Sequence, residues 1–347
     1  QNIFLKLLRN LNPETSHYLS ILSVKYLSIF LEKTYKNEIL RTNFGNLSFE
    51  NPIGLAAGYD KNAEVINSLF KMGFGFVECG TVTPVAQYGN RKPRIFRLIE
   101  DSGIVNRLGF NNCGIKQFLE NFKKRQLNLG IAGVNIGPNK ESKNFIDDYL
   151  NLFNSVYEYA DYITLNVSSP NTESLRDIQK TEDLNVLTYE INSLRKSKKD
   201  YKQIVLKVDP DSKEEEYSQI INIVQKNKID GLIVTNTSVS RPESLKSIYR
   251  NEEGGLSGVP IREKSNKVLR FISKETQGEI TLIGVGGINS AKDAYEKIKI
   301  GASLVQLYSS LTFNNQGFIN KINKELSSYI RSDGFKNIKE AVGVEIR

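Results

Sequence analysis

The stretch NVSSPNT, residues 166–172, closes the apolar run YITLNV with small hydrogen-bonding groups and no acid, cysteine or histidine. If this loop does chemistry, Ser169 is the residue that moves a proton; the bland alternative is a turn serine before Pro170. A free serine hydroxyl is a poor base, so neighbouring groups must stabilise the charge that develops. Lys61, after AAGYD, and Lys207, inside the apolar run IVLKVD, are suitable sources, because an ammonium in a strand is costly unless it is paired or faces a ligand. Asn106, Asn111, Asn135, Asn166, Asn171 and Asn236 lie at or near the ends of apolar runs or in a long loop. One asparagine in such a place is a turn residue. Six of them point to a site that reads an imide-like edge twice, once on a cofactor and once on a substrate, since an amide offers donor and acceptor together.

Glycine clusters add a second signal. GGLSG (254–258), GVGG (284–287) and GAS (301–303) allow backbone N–H groups to approach a phosphate closely.

These groups need a scaffold, and the rhythm from residue 50 onward supplies one. Apolar runs recur at 52–58, 75–80, 131–137, 162–167, 204–209, 231–236, 281–287 and 303–308, with helical patterns such as 62–72, 143–160, 211–227 and 290–300 between them. Eight β-α units predict an α/β fold of the (β/α)8 TIM-barrel type. A doubly wound open sheet competes, but no GxGxxG fingerprint follows the first strand. In such a barrel the active site lies at the C-terminal ends of the strands, where the polar clusters fall, with a phosphate site at strands 7 and 8. Two long loops, 81–110 and 236–261, are expected to be functional or disordered.

The first 45 residues differ. Phe4, Leu7, Leu8 and Leu11, then Leu19, Leu22, Tyr26, Ile29 and Phe30, recur at helical spacing, and NPET offers a helix start with Pro13 in the first turn. Two amphipathic helices follow, either a cap packed on the main domain or an interfacial membrane anchor. No stretch is apolar enough for a membrane span, and no secretory leader is expected. The net charge of +8 over 347 residues permits anionic partners, but lysines in mixed runs such as LRKSKKDYK read as solvated helix faces. Cys79 and Cys113 make no metal or redox spacing, and a single histidine, His17, excludes histidine-based metal clusters and most triads.

AAGYDKN, NRLGFNN, NVSSPNT, TNTS, GGLSG, GVGGI and GASLVQLYS, in this order and approximate spacing, resemble the dihydroorotate dehydrogenase family. The resemblance runs from about residue 44 onward and divides the chain into an N-terminal helical membrane and quinone-access region, 1–43, and a barrel catalytic domain, 44–347. The helical pair, and serine at 169 where the cytosolic class has cysteine, are similar to the membrane-associated, quinone-dependent class 2. The resemblance implies oxidation of (S)-dihydroorotate to orotate in pyrimidine synthesis, with FMN as cofactor and ubiquinone or menaquinone as final acceptor. It also implies a peripheral membrane protein with no nucleic-acid partner. We expect a monomer on the cytoplasmic face of a bacterial inner membrane, the mitochondrial inner membrane being the second choice.

Carried over by residue, it assigns FMN to Ala57, Gly58, Tyr59, Asp60, Lys61, Thr81, Asn135, Asn166, Lys207, Thr235, Gly258, Gly287, Tyr308 and Ser309. It assigns the substrate to Lys61, Asn106, Arg107, Leu108, Gly109, Phe110, Asn166, Asn171, Asn236 and Thr237, and proton transfer to Ser169 with Phe110 and Thr172 shaping the exit. His17, Arg97 and Tyr308 match the quinone route. Three departures stand out: Pro138, where the family commonly has lysine; Asp209, where a small apolar residue is common; and the N-terminal helices, which show little residue-level similarity. A tRNA dihydrouridine synthase, another FMN barrel, would need a cysteine proton donor and an RNA-binding domain, and neither is evident.

Overall fold

The computed structural model describes residues 10–28, 33–171, 175–180 and 182–346, apart from the side chains of Asp177 and Lys180. Its first helix is α1 (Pro13–Leu27). The Asn12 side chain caps it by accepting the Glu14 N–H at 3.0 Å, and Pro13 takes the first turn, where its missing N–H costs nothing. The buried residues of α1 are Ser16, Ile21 and Val24. Tyr26, expected on the apolar stripe, is 64% exposed, and Tyr18 is 62% exposed. The stripe read from the sequence is thus rotated from the one the barrel covers, because the contact face includes small and polar residues. Phe4, Leu7, Leu8, Ile29 and Phe30 lie outside the described residues.

The hairpin β1 (Thr42–Phe44) and β2 (Leu47–Phe49) leads into β3 (Ile53–Leu55), α2 (Ile66–Lys71) and β4 (Phe76–Val82). Next come β5 (Ile95–Leu98), β6 (Gly103–Asn106), α3 (Gly114–Phe122), β7 (Ile131–Ile136), α4 (Phe145–Val156) and β8 (Tyr162–Asn166). The chain continues through α5 (Glu182–Lys196), β9 (Gln203–Val208), α6 (Glu214–Lys226), β10 (Gly231–Val234) and β11 (Gly255–Gly258). It ends with α7 (Arg262–Thr276), β12 (Thr281–Val285), α8 (Ala291–Lys299), β13 (Leu304–Leu307), α9 (Phe318–Ser332) and α10 (Ile338–Ala341).

Strands β3, β4, β7, β8, β9, β10, β12 and β13 pair in parallel in that order, and β13 returns to β3 to close the barrel. These are the eight runs expected from the sequence. The helices bury one face against the outside of the barrel: α4, for example, buries Tyr149, Leu152, Phe153 and Val156. Inside, at the N-terminal end, Phe44 and Phe49 of the hairpin pack with Phe76, Tyr162, Val205, Ile233, Ile283 and Leu304. Gly133 makes room for this floor, since a Cβ there would sit 2.1 Å from the Tyr162 ring.

The two long loops are partly ordered by pairing with each other. Strands β5, β6 and β11 form an antiparallel sheet in which Gly255 stands opposite Asn106. The sequence reading saw no strands there, because runs of four residues beside glycines carry too little periodicity. Among the described residues, no helix is long and apolar enough to cross a membrane.

Candidate active site

Successive side chains on a strand point to opposite faces, so the inward positions step by two. On β8 they are Tyr162, Thr164 and Asn166; on β9, Val205 and Lys207; on β13, Leu304 and Gln306, with Tyr308 just beyond. Each series begins apolar in the floor and turns polar toward the C-terminal end. There the strand ends open into a cavity of about 230 Å³, covered by residues of α1, β5 and β6.

Of the residues assigned to the cofactor, Ala57, Gly58, Tyr59, Lys61, Thr81 and Asn166 line this cavity. Lys207, Thr235, Gly258, Gly287, Tyr308 and Ser309 line it as well. Of those assigned to the substrate, Asn106, Leu108, Gly109, Phe110, Asn171, Asn236 and Thr237 are present, and the buried Ser169 lies among them. His17, Arg97 and Tyr308 all line the cavity, and the Tyr59 ring lies between those of His17 and Tyr308, 5.3 and 5.8 Å from them.

Three assigned residues do not line it. Asp60 is buried beneath the loop after β3, where it accepts the Glu64 and Val65 N–H groups at 2.7 and 2.9 Å. Burial pushes its carboxyl up to about 6 against those hydrogen bonds. Arg107 turns outward, pairs with Glu252 at 2.8 Å and lies over the Phe96 ring. Asn135 is fully buried one layer below the cavity. Asn111 is likewise absent from the lining, and Thr172 lies outside the described residues. Of the three glycine clusters, GGLSG and GVGG supply Gly258, Gly286 and Gly287 to the cavity. GAS precedes β13 and so sits at the opposite end of the barrel, where a Cβ on Gly301 would strike Ser273.

The amides form one network. Asn166 donates to Thr81 Oγ1 at 2.9 Å and accepts from Asn236 at 3.3 Å and from the Ser168 hydroxyl at 3.1 Å. Asn171 donates to Asn106 Oδ1 at 3.3 Å, and its own N–H donates to Ser169 Oγ at 3.3 Å. Arg176 holds the two loops together: it donates to Ser168 O at 3.3 Å, to Thr237 O at 2.8 Å and to Asp211 at 3.0 Å. Burial alone would raise the Asp211 carboxyl, but hydrogen bonds from Lys264 and Ser238 hold it well below the usual range. Asp209 is a latch: its carboxylate accepts from Gln179, the Asp211 N–H and Ser212.

The charges facing the cavity are cationic. Neither the Lys61 nor the Lys207 ammonium has a hydrogen bond or ion pair among the described residues. Burial pushes Lys61 down to about 8, helped by Arg94 and opposed by Glu14 and Asp60. Lys207 is also lowered by burial, while the Glu78 carboxylate acts against that. His17 is pushed down to about 3 by burial and by Lys61, so its imidazole is neutral at pH 7. It meets the Tyr59 ring edge-on with centroids 5.3 Å apart, and Ser20 bonds the Tyr59 hydroxyl at 2.7 Å. Glu14 joins α1 to the loop before β5 through Arg94 and Lys92, each at 3.0 Å.

Two polar residues at this level were missed by sequence reasoning, Glu78 and Gln306. Glu78 is fully buried inside the barrel, and Gln306 bonds it at 3.0 Å while lining the cavity. The available signal was a polar residue at an inward step within an apolar run, FVECG or LVQLY. Gln306 Oε1 is buried with no partner among the described residues. An unused acceptor, two unused ammoniums and glycines with left-handed φ at 258, 286 and 287 suit a planar, amide-edged ligand that carries a phosphate.

Comparison with known proteins bears on the same cavity. A family model described as dihydroorotate dehydrogenase matches residues 39–330. A protein of Bartonella henselae named dihydroorotate dehydrogenase (quinone) is 45% identical, covering 95% of this chain and 91% of its own. One of the same name from Azorhizobium caulinodans is 41% identical, with 96% of each chain covered. Among solved structures, DHODH from Eimeria tenella in complex with ferulenol superposes with a TM-score of 0.91 at 36% identity, covering 96% of both chains. The ligand-free form of that protein gives a TM-score of 0.92, covering 96% of this chain and 99% of that one.

Proposed function

Because the chain belongs to the dihydroorotate dehydrogenase family and its relatives are the quinone-dependent enzymes, we propose that it oxidises (S)-dihydroorotate to orotate with FMN and a membrane quinone. The observation that carries this reading is a cavity holding two lysine ammoniums, unpartnered among the described residues, beside an array of amides. Orotate and its dihydro form are anions with an imide edge, and such a cavity complements both features.

Ala57, Gly58, Lys61, Thr81, Asn166, Lys207 and Thr235 would hold the flavin ring system, and Gly258, Gly287, Tyr308 and Ser309 its phosphate side. When bound, FMN would supply a two-electron acceptor between the substrate and the quinone. Lys61 and the amides of Asn106, Asn171 and Asn236 would orient the substrate. Ser169 takes the proton from the ring carbon beside the carbonyl as hydride leaves the adjacent carbon. A serine can accept that proton only by handing on its own, so the Asn171 N–H on Oγ orients a relay rather than a stored base. Lys61, charged below about pH 8 in a poorly solvated site, stabilises the enolate-like charge as it develops.

The N-terminal region, residues 1–43, serves as the quinone entrance. Arg97 and the neutral His17 line the route to Tyr308, and the exposed Tyr18 and Tyr26 face the lipid headgroups. The protein works as a peripheral membrane monomer, on the cytoplasmic side of a bacterial inner membrane in the favoured case.

The test is anaerobic. Dihydroorotate is mixed with the purified flavoprotein, visible absorption is followed, and a short-chain quinone is then added. Bleaching followed by recovery is expected. No bleaching in a fully flavinated sample would overturn the substrate, and bleaching without recovery would overturn the quinone. Failure to float with anionic vesicles would overturn the membrane role.

A further inference from the structure

Glu78 is a carboxylate fully buried in the barrel, beneath the cavity rather than in it. Its Oε1 accepts from Asn135 Nδ2 at 2.8 Å. Its Oε2 accepts from Tyr162 OH, Thr164 Oγ1 and Gln306 Nε2, each at 3.0 Å. Among the described residues it has no ion pair, although Lys207 lies close enough to be influenced by its charge. Four hydrogen bonds are a large commitment for a group outside the chemistry proposed so far, and a buried charge is retained only where its partners are well placed.

We infer that Glu78 is a positioning residue that dictates which way the amides of the active site point. A carboxylate only accepts, whereas an amide or a hydroxyl can run in either direction. Asn135 must therefore turn its NH2 to Glu78 and present Oδ1 to Thr81, which donates to it at 2.5 Å. The one hydroxyl proton of Thr81 is then spent, so Thr81 accepts from Asn166 Nδ2. Asn166 in turn presents Oδ1 upward, where the Asn236 amide and the Ser168 hydroxyl donate to it. On the other side of Glu78, Gln306 also gives its NH2 to the carboxylate, which turns Oε1, the buried acceptor without a described partner, away from it. Asn166 and Asn236 are also held in this sense by backbone donors, the Ser168 N–H at 3.4 Å and the Thr237 N–H at 2.8 Å. Asn135, Thr81 and Gln306 have no such anchor, so without the carboxylate they could reverse, and Gln306 would offer the cavity a donor where it now offers an acceptor. Misplaced polarity is expensive in a recognition site, because buried groups are left unpaired.

The inference rests on the reading above that the cavity takes FMN and orotate, and its test separates the two. Wild-type protein is first shown to bind orotate, by the shift in flavin absorption, and to rebind FMN after stripping, by fluorescence quenching. Failure of either binding in the wild type overturns the functional reading itself. Glu78→Gln keeps the shape but must point an NH2 at one set of donors. It is expected to weaken both affinities by roughly tenfold, the cost of one or two misdirected hydrogen bonds. Combining Glu78→Gln with Asn135→Asp moves the carboxylate one side chain along the network. The new amide at 78 donates to the new carboxylate at 135, which still accepts from Thr81, so the direction above it is preserved. The double variant is expected to bind both ligands within about threefold of wild type. A residue that merely filled space would give no such rescue. Wild-type affinities in a folded Glu78→Gln protein, or a folded double variant no better than the single, would overturn the inference. If the single variant does not fold, the double variant decides alone: near-native affinities support the inference and weak ones overturn it.

Discussion

Two layers of one barrel differ in what they ask of their residues. The floor, with Phe44, Phe49, Phe76, Val205, Ile233, Ile283 and Leu304, is apolar and closed by the β1–β2 hairpin. The layers toward the C-terminal end carry Glu78, Asn135, Asn166, Lys207 and Gln306, all inside the same strands and nearly all without exposure. The floor stabilises through volume, and dispersion has no direction to get wrong. In the polar layers each group has a preferred partner and a preferred sense, so a change that hardly alters volume can still reverse the site's meaning. Stability and recognition are thereby separated along the barrel axis.

That separation can be broken from either side. Ser169→Ala removes one oxygen atom and should slow flavin reduction by dihydroorotate by about 10²- to 10⁴-fold. Thermal unfolding and FMN content should stay at wild-type values, and an unchanged rate of reduction would remove Ser169 from the mechanism. Phe76→Ala in the floor should do the reverse, lowering unfolding free energy by about 3–5 kcal/mol. Turnover per folded molecule should hold within about twofold of wild type, given that Phe76 does not line the cavity. Denaturant titration alongside assays of the folded fraction would show whether the two layers are as independent as this.

The pH dependence sharpens the comparison with a smaller effect. Lys61 is a cation below its pKa of about 8, which burial lowers from 10.5. As pH rises through 8 it loses the charge proposed to hold the substrate anion, so kcat/KM for dihydroorotate should fall above that point and approach a tenfold loss per unit. Lys61→Arg should carry a lower maximum but no such limb, because a guanidinium keeps its proton. A wild-type profile flat to pH 10 would remove Lys61 from substrate binding. His17, already neutral at pH 7, should contribute no limb between pH 5 and 8.

Much of this architecture was legible in the sequence, and the parts that were not share a cause. The eight barrel strands announced themselves as apolar runs, each followed by a polar turn, and the strand-end position of Asn166, Lys207 and Asn236 followed from that rhythm. The roof sheet did not, since β5, β6 and β11 owe their existence to each other across about 150 residues of chain, as in Asn106 to Gly255. GAS was read as part of the phosphate site by composition, yet it opens a strand instead of ending one and so lies at the other end of the barrel. Asn135 matched a motif position, but its inward step placed it a layer too deep to touch the cavity. The apolar stripe of α1 was misjudged because the barrel accepts Ser16 and Ser20 at the contact and leaves Tyr26 outside.

By itself the sequence determined the period of each element, the order of the strands and the residue types that meet at their C-terminal ends, because spacing and turn chemistry are local properties. Only the tertiary structure decided the role of Glu78. Its partners Asn135, Tyr162, Thr164 and Gln306 stand 57, 84, 86 and 228 residues away along the chain. No local pattern encodes such a meeting; closure of the barrel brings β7, β8 and β13 to one carboxylate on β4, and the desolvation of that charge obliges all four partner groups to donate.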